Sequence, residues 1–298
     1  MPRICYVDRT FRAPALTTID QANQIIREYQ ARGFELTLRQ LYYQFVARGW
    51  CPNTESEYGR LIGLMTDARL AGLVDWEALV DRTRNLRART RWDSPAHIVS
   101  AAARSYHVDY WEGQQTRPEV WIEKDALVGV ISDICEEYDV PYFSCRGYTS
   151  QSEMWVAGQR HEDVQNQGQD TMIFHLGDHD PSGIDMTRDI RDRLDLFVGG
   201  VTVERIALTM DQIRQYSLPP NPAKITDSRY VSYVSEYGGE SWELDALDPT
   251  VMVELVRDHI ESLIDDGPWD ERKELEEQQK STLSNLSDRW SEVESMFS

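Results

Sequence analysis

The sequence is poor in cysteine and lysine and has no long apolar run. Its four cysteines, Cys5, Cys51, Cys135 and Cys145, are scattered with no Cys-x-x-Cys pair. That argues against a zinc site and against a disulfide framework, and it fits a reducing compartment. No apolar stretch approaches the ~18 residues needed to span a bilayer, so no membrane partner is expected. The opening MPRICYVDRTFRAP lacks the apolar stretch of a signal peptide, and a cytoplasmic chain is the expectation. No Gly-x-x-x-x-Gly-Lys-Ser/Thr loop or other nucleotide-hydrolysing motif is visible. There is no internal repeat and no low-complexity linker. Only four of the 31 basic residues are lysines (Lys124, Lys224, Lys273 and Lys280). Few lysines among many acids suits a salt-rich cytoplasm and a GC-rich genome equally.

What is present is enough for one large domain or two ordinary ones: 298 residues, 41% of them hydrophobic. The formal net charge of −20 is unevenly spread. Residues 1–118 carry 16 arginines against 13 acidic residues, whereas the remainder carries 15 basic residues against 38 acidic ones. The first part can meet phosphate; the second is a strongly acidic body.

The first part reads as closely spaced short helices. TTIDQANQIIREYQARG sets Ile19, Ala22, Ile25, Ile26 and Tyr29 on one stripe. In TLRQLYYQFVARG, Thr37 is a credible N-cap with Gln40 as its capping-box partner. TESEYGRLIGLMTDARLAG repeats the pattern, with Thr54 as cap, Glu57 at the third position and Gly72 as the stop. Such spacing is that of helix-turn-helix and winged-helix modules. VDRTRNLRARTRW then places Arg82, Arg84, Arg87, Arg89 and Arg91 within ten residues, as an extended wing or a loop. Guanidinium groups in a row suit phosphate contacts; the plain alternative is a solvated surface stretch.

From residue 118 the rhythm changes to strands alternating with helices of ten or more residues. PEVWIEKD, VPYFSCRG, DTMIFHLGD and VTVERIALT read as strands, and the segments between them as helices. That alternation implies βαβ units and a mainly parallel four-stranded sheet flanked by helices. The expected fold class is therefore mixed α/β. The expected division is a helical DNA-binding domain over residues 1–95, a linker over 96–117, and the sheet domain with a C-terminal helical extension over 118–298.

Ligands on parallel sheets sit at the carboxyl ends of the strands. Glu123 ends the first strand, and Asp178 and Asp180 end the third in FHLGDHDPSG. Asp, Pro, Ser and Gly are also turn formers, so a simple turn is one reading. The other is a divalent-cation site: crowded like charges need a cation to offset them, and Mg²⁺ takes a few carboxylates with waters and phosphate oxygens. His179, between the aspartates, should point away from them by strand alternation.

The stretch EVWIEKDAL followed by GDHDPSG resembles a Toprim domain, the fold shared by topoisomerases, primases and some nucleases. The form EKDA with GDxDPxG is most similar to the A subunit of topoisomerase VI and its meiotic double-strand-break relatives. GYTS at Gly147–Ser150 sits where those proteins carry a similar turn. The likeness covers roughly residues 35–210, and the chain is closer to the stand-alone Topo mini-A proteins of viruses and mobile elements. It implies a winged-helix domain followed by a Toprim domain, double-stranded DNA as partner, Mg²⁺ as cofactor, a homodimer, and a separate ATP-hydrolysing B-type subunit for any strand passage.

That family carries an Arg-x-x-Tyr-Tyr-like motif, matched here by Arg39-Gln-Leu-Tyr42-Tyr43, and the match assigns Tyr43 as nucleophile. The helix pattern agrees. Tyr42 belongs to the apolar stripe of Leu38, Leu41, Phe45 and Val46 and reads as core, whereas Tyr43 falls off it, one turn from Arg39. Arg39 there could hold a phosphate and favour an ionised phenol; the alternative is that both tyrosines merely pack. The implied reaction is transesterification, leaving a 5′-phosphotyrosyl link and a free 3′-hydroxyl. Rival readings are a Toprim nuclease that hydrolyses DNA with metal-activated water, and a DNA-binding module without turnover. The stretch SLPPNPAKITDSRYVSYVSEYGGESWELDAL reads as loop, and Glu243 and Asp245 within it are candidates to approach the acids. The tail from Pro268 reads as an acidic helix bearing Leu275, Leu283, Leu286, Trp290 and Val293, with docking on the body its first reading and contact with a partner the second.

Overall fold

The computed structural model describes residues 3–79 and 91–296. Arg82, Arg84, Arg87 and Arg89 lie outside these residues; Arg91, at the end of the same row, is exposed. Among the described residues no helix is long and apolar enough to cross a membrane.

Three helices open the chain: α1 (Ala13–Gln30), α2 (Leu38–Ala47) and α3 (Glu55–Leu70). Their caps are the ones the sequence signals. Thr37 and Gln40 close a reciprocal capping box on α2, and the Thr54 side chain accepts from the Glu57 N–H on α3. Backbone donors otherwise left bare are satisfied this way, two at the start of α2 and one at the start of α3. Ile19, Ala22, Ile25, Ile26 and Tyr29 of α1 are buried against Leu41, Tyr42 and Phe45 of α2 and Leu61, Met65 and Ala68 of α3.

The stretch expected as a linker is a helix and a packed loop instead. Ser94 caps α4 (Pro95–Ser105), which has Pro at its first turn. The loop after it buries Trp111 completely. Beyond it come β1 (Thr116–Ile122), α5 (Val128–Glu137), β2 (Tyr142–Ser144), α6 (Gln151–Asn166), β3 (Asp170–Leu176), α7 (Pro181–Phe197) and β4 (Val201–Ala207). The four strands form one all-parallel sheet in the order β2-β1-β3-β4. Val120 lies beside Phe174 and Ile122 beside Leu176, so neighbouring strands end level. Strands covered on both faces carry near-continuous apolar runs. Val120, Ile122, Phe174 and Leu176 face Val130, Ile131 and Ile134 of α5. Trp121, Ile173 and Val203 face Met154 and Ala157 of α6 and Ile190 and Leu194 of α7.

The remaining elements fold back over the sheet. They are α8 (Met210–Gln215), α9 (Tyr230–Tyr237), the short antiparallel pair β5 (Asn221–Pro222) and β6 (Glu240–Ser241), a 3-10 turn at Leu244–Ala246, α10 (Pro249–Glu261), α11 (Asp266–Asp288) and α12 (Trp290–Met296). The segment read as loop thus contains α9 and a strand pair. Its Trp242 forms an antiparallel bridge with His179, at the loop after β3. Docking of the tail is as expected. Trp269 joins the core of the body, and Glu276 of α11 accepts the Val108 N–H at 3.0 Å.

Candidate functional site at the carboxyl edge of the sheet

The β3–α7 connection is built around one arginine. Arg205 of β4 spends all five of its N–H donors inside the protein. They go to the carbonyl oxygens of Gly177 (2.7 Å), Asp178 (2.5 Å), Gly183 (3.0 Å) and Leu208 (3.1 Å) and to Thr187 Oγ1 (3.0 Å). Burial lowers its pKa to about 10, although Glu123, Asp178 and Asp180 pull the other way. The glycines of the motif serve the same tight course. A Cβ on Gly183 would sit 2.1 Å from the Asp178 carbonyl oxygen, and one on Gly177 would be 3.1 Å from Glu123 Oε2. Glycine is the residue that permits such close backbone approach.

Glu123 follows β1 directly, and its N–H donates to the Leu176 carbonyl at 2.8 Å. Its Oε2 accepts the Asp178 N–H at 2.8 Å. Asp178 is buried, and its Oδ1 accepts the Leu244 N–H at 2.7 Å. Asp180 caps α7: its Oδ1 accepts from the Gly183 N–H at 2.7 Å and from the Ser182 hydroxyl at 2.9 Å. The turn reading holds for Asp180, which commits one oxygen to the helix. His179 points away, as expected. It packs against Tyr233, Tyr237 and Trp242, with Nδ1 2.8 Å from the Tyr233 hydroxyl.

The three acids come together, and their charges interact. Glu123 is pushed up to about 7, first by burial and then by the carboxylates of Asp178 and Asp180. Two residues bring further acids from far along the chain. Lys124 Nζ lies 3.0 Å from Asp178 Oδ1, 3.0 Å from Glu243 Oε2 and 2.5 Å from Asp245 Oδ2. Desolvation opposes the Lys124 charge, yet Asp245, Asp178 and Glu243 hold its pKa above the ordinary lysine value. Arg39 of α2 donates from Nε to Glu243 Oε2 at 3.0 Å and lies 3.9 Å from Asp245.

Five carboxylates therefore meet three cations at this edge. The fit to a divalent cation rests on geometry: Glu123 and Asp178 are joined through the Asp178 N–H at the ends of β1 and β3, with Asp180 two residues on. Glu123, Asp178 and Asp180 are the residues that would hold it. Among the described residues, no three acidic, histidine or cysteine side chains stand already disposed as a metal cage; these carboxylates gather around ammonium and guanidinium groups instead.

The tyrosine pair corrects one expectation. Both rings are buried, Tyr42 at 4% exposure and Tyr43 at 3%. Tyr42 is core, as read, with its hydroxyl accepting the Thr54 N–H at 2.8 Å. Tyr43 does not escape the packed surface, because α2 has a second wall. The turn at Leu244–Ala246 covers the face that the apolar stripe leaves free, and Ala246 joins the N-terminal core. Burial, followed by the Glu243 carboxylate, holds the Tyr43 pKa well above the tyrosine range, with the Asn221 side chain pulling the other way. Arg39 sits one turn away as expected, but its guanidinium is committed to Glu243. Tyr43, Arg39, Asn221, Lys224 and Glu243 line a cavity of about 550 Å³.

Sequence reasoning missed Arg205 and Lys124. Arg205 left no signal beyond being a charge in an apolar strand. Lys124 stood inside the quoted EKDA motif, and a lysine beside three expected acids was signal enough to ask what it neutralises. The chain matches no protein-family model and no curated protein.

Proposed function

We propose that this chain cleaves DNA phosphodiester bonds at the carboxyl edge of its sheet, as the resemblance to the topoisomerase VI A subunit implies. Glu123, Asp178 and Asp180 are the Mg²⁺ ligands, and Tyr43 with Arg39 is the nucleophilic pair. The observation that carries this reading is the meeting of Glu123, Asp178 and Asp180 at strand ends that conventionally receive ligands, with Glu123 Oε2 accepting the Asp178 N–H at 2.8 Å. A divalent cation held there supplies stabilisation of the charge on the phosphoryl oxygens. In the transesterification, the Tyr43 oxygen bonds to phosphorus as the bond to the 3′-oxygen breaks. The phenolic proton is lost, the 3′-oxygen gains one to leave as a hydroxyl, and the DNA 5′ end stays on the tyrosine.

Tyr43 must be uncovered before it can act. That requires α2 to part from the turn at Leu244–Ala246. In the resembling family the tyrosine of one subunit meets the acids of the other, so the working form is a homodimer on double-stranded DNA. A separate ATP-hydrolysing B-type subunit is the partner for strand passage.

The burial of Tyr43 and its raised pKa favour a second reading. In it water, not tyrosine, is the nucleophile, and the acids alone cut the strand. The two readings separate on supercoiled plasmid with Mg²⁺, using Tyr43→Phe and Asp178→Ala, with denaturing capture of protein on DNA 5′ ends. Transesterification requires a covalent adduct with the parent chain and its loss in both variants. Cleavage that persists in Tyr43→Phe with no adduct means hydrolysis. A parent chain that cuts nothing removes both.

A further inference from the structure

Lys124 is placed as a metal ion would be. Its Nζ is ringed by three carboxylates, from Asp178 (3.0 Å), Glu243 (3.0 Å) and Asp245 (2.5 Å). An ammonium has three N–H donors, and each carboxylate takes one. The demand of the pocket exceeds that supply. The Asp245 side chain is only 1% exposed, and its Oδ1 is buried without a hydrogen-bond partner. An anionic oxygen buried alone is costly, and a cation that binds carboxylates through both oxygens would relieve it where an ammonium cannot. All the donors are oxygens, the set that suits Mg²⁺, Ca²⁺ and Mn²⁺.

We propose that Asp178, Glu243 and Asp245 form a cation pocket beside the Glu123–Asp178–Asp180 trio, that the Lys124 ammonium is its resident cation, and that removing this ammonium turns the pocket into a divalent-metal site. With Lys124 in place, Asp178 is fixed from one side, and an added metal ion is confined to the side of Glu123 and Asp180. Lys124 is then a positioning residue: it decides how many ions the edge takes. The inference goes beyond the cleavage reading and holds whether or not the chain cuts DNA.

The test uses the full chain in four forms: parent, Lys124→Ala, Lys124→Met (which keeps the apolar stem) and Lys124→Ala/Asp245→Asn. Each is titrated calorimetrically with Mn²⁺, and its thermal unfolding is followed in EDTA and in Mn²⁺. In EDTA both single variants should unfold at lower temperature than the parent, since three carboxylates lose their cation. Mn²⁺ should restore them by more than it raises the parent, and each should bind one more Mn²⁺ per chain than the parent does. Asp245→Asn should abolish that extra ion. Equal stoichiometry in parent and single variants overturns the proposal. So does an extra ion that survives Asp245→Asn, or failure of both single variants to fold with Mn²⁺ present, because the metal should replace the ammonium. A parent that binds no Mn²⁺ counts against the metal ligands of the cleavage reading alone; the difference between parent and variants still decides this one.

Discussion

Two junctions hold this molecule together, and they are made of different materials. The N-terminal helices meet the body through polar contacts. Tyr29 donates to Asp248 at 2.6 Å, Arg32 pairs with Asp248 and Thr250, Arg39 with Glu243, and Asn53 Nδ2 donates to Asn221 Oδ1 at 2.6 Å. Among the described residues, only Ala246 of the body enters the N-terminal apolar core. The tail and the loop before β1 meet the body through aromatic rings. Trp111 and Trp269 are buried with centroids 5.4 Å apart, and Tyr110 lies 5.2 Å from Trp269. Water and salt can replace the polar contacts of the first junction, which covers the one ring of Tyr43, whereas opening the second exposes Tyr110, Trp111 and Trp269 together. The motion that the cleavage reading demands therefore runs along the weaker seam.

The largest expected effect lies in the aromatic junction. Trp269→Ala should lose about 3–5 kcal/mol of unfolding free energy, measured by denaturant titration, with little dependence on salt. A loss that salt could mimic would erase the distinction between the junctions.

Next is acid sensitivity of the body. His175 is fully buried, with Nδ1 2.8 Å from Thr187 Oγ1. Burial, then the Arg205 charge, lower its pKa to about 3 from the usual 6.5. Between those values the unfolded chain binds a proton that the folded one refuses, so stability falls as pH drops from about 6.5 toward 3. His175→Gln should flatten that limb of a stability-against-pH curve. An unchanged limb would assign the acid loss to other groups.

Gly183→Ala should cost about 1–3 kcal/mol, because the new methyl meets the Asp178 carbonyl. If the edge holds a cation as proposed, Gly183→Ala should also weaken Mn²⁺ binding, while Trp269→Ala, measured where it is folded, should not.

The smallest change in stability belongs to the polar junction. Arg39→Ala removes a half-exposed ion pair worth about 0–1 kcal/mol, yet it should speed chemical nitration of Tyr43 several-fold, as should raised salt on the parent. Nitration no faster than in the parent would mean that α2 is held by its packing, not by its charges.

The parallel sheet was legible because strands and long helices alternate, and the acids because Glu123 and Asp178 stand where such strands end. Capping residues such as Thr37 and Thr54 act within three residues of themselves, so they too can be read locally. What escaped depends on distant partners. Tyr43 is buried by a turn 200 residues away, and a helix stripe cannot show a second wall. Lys124 is spoken for by Glu243 and Asp245, which sequence placed only as candidates to approach. The segment after Ser94 carried a cap and a first-turn proline, the ordinary signs of a helix start, and its reading as a linker overlooked them.

Arg205 grips main-chain oxygens and leaves the carboxylates of its loop alone. What the acids add to that scaffold is acceptance of backbone donors, Glu123 taking the Asp178 N–H and Asp178 the Leu244 N–H. Glu123→Gln and Asp178→Asn, which can still accept those donors, should therefore leave a faithful cast of the edge, whereas replacing Arg205 would melt the mould itself.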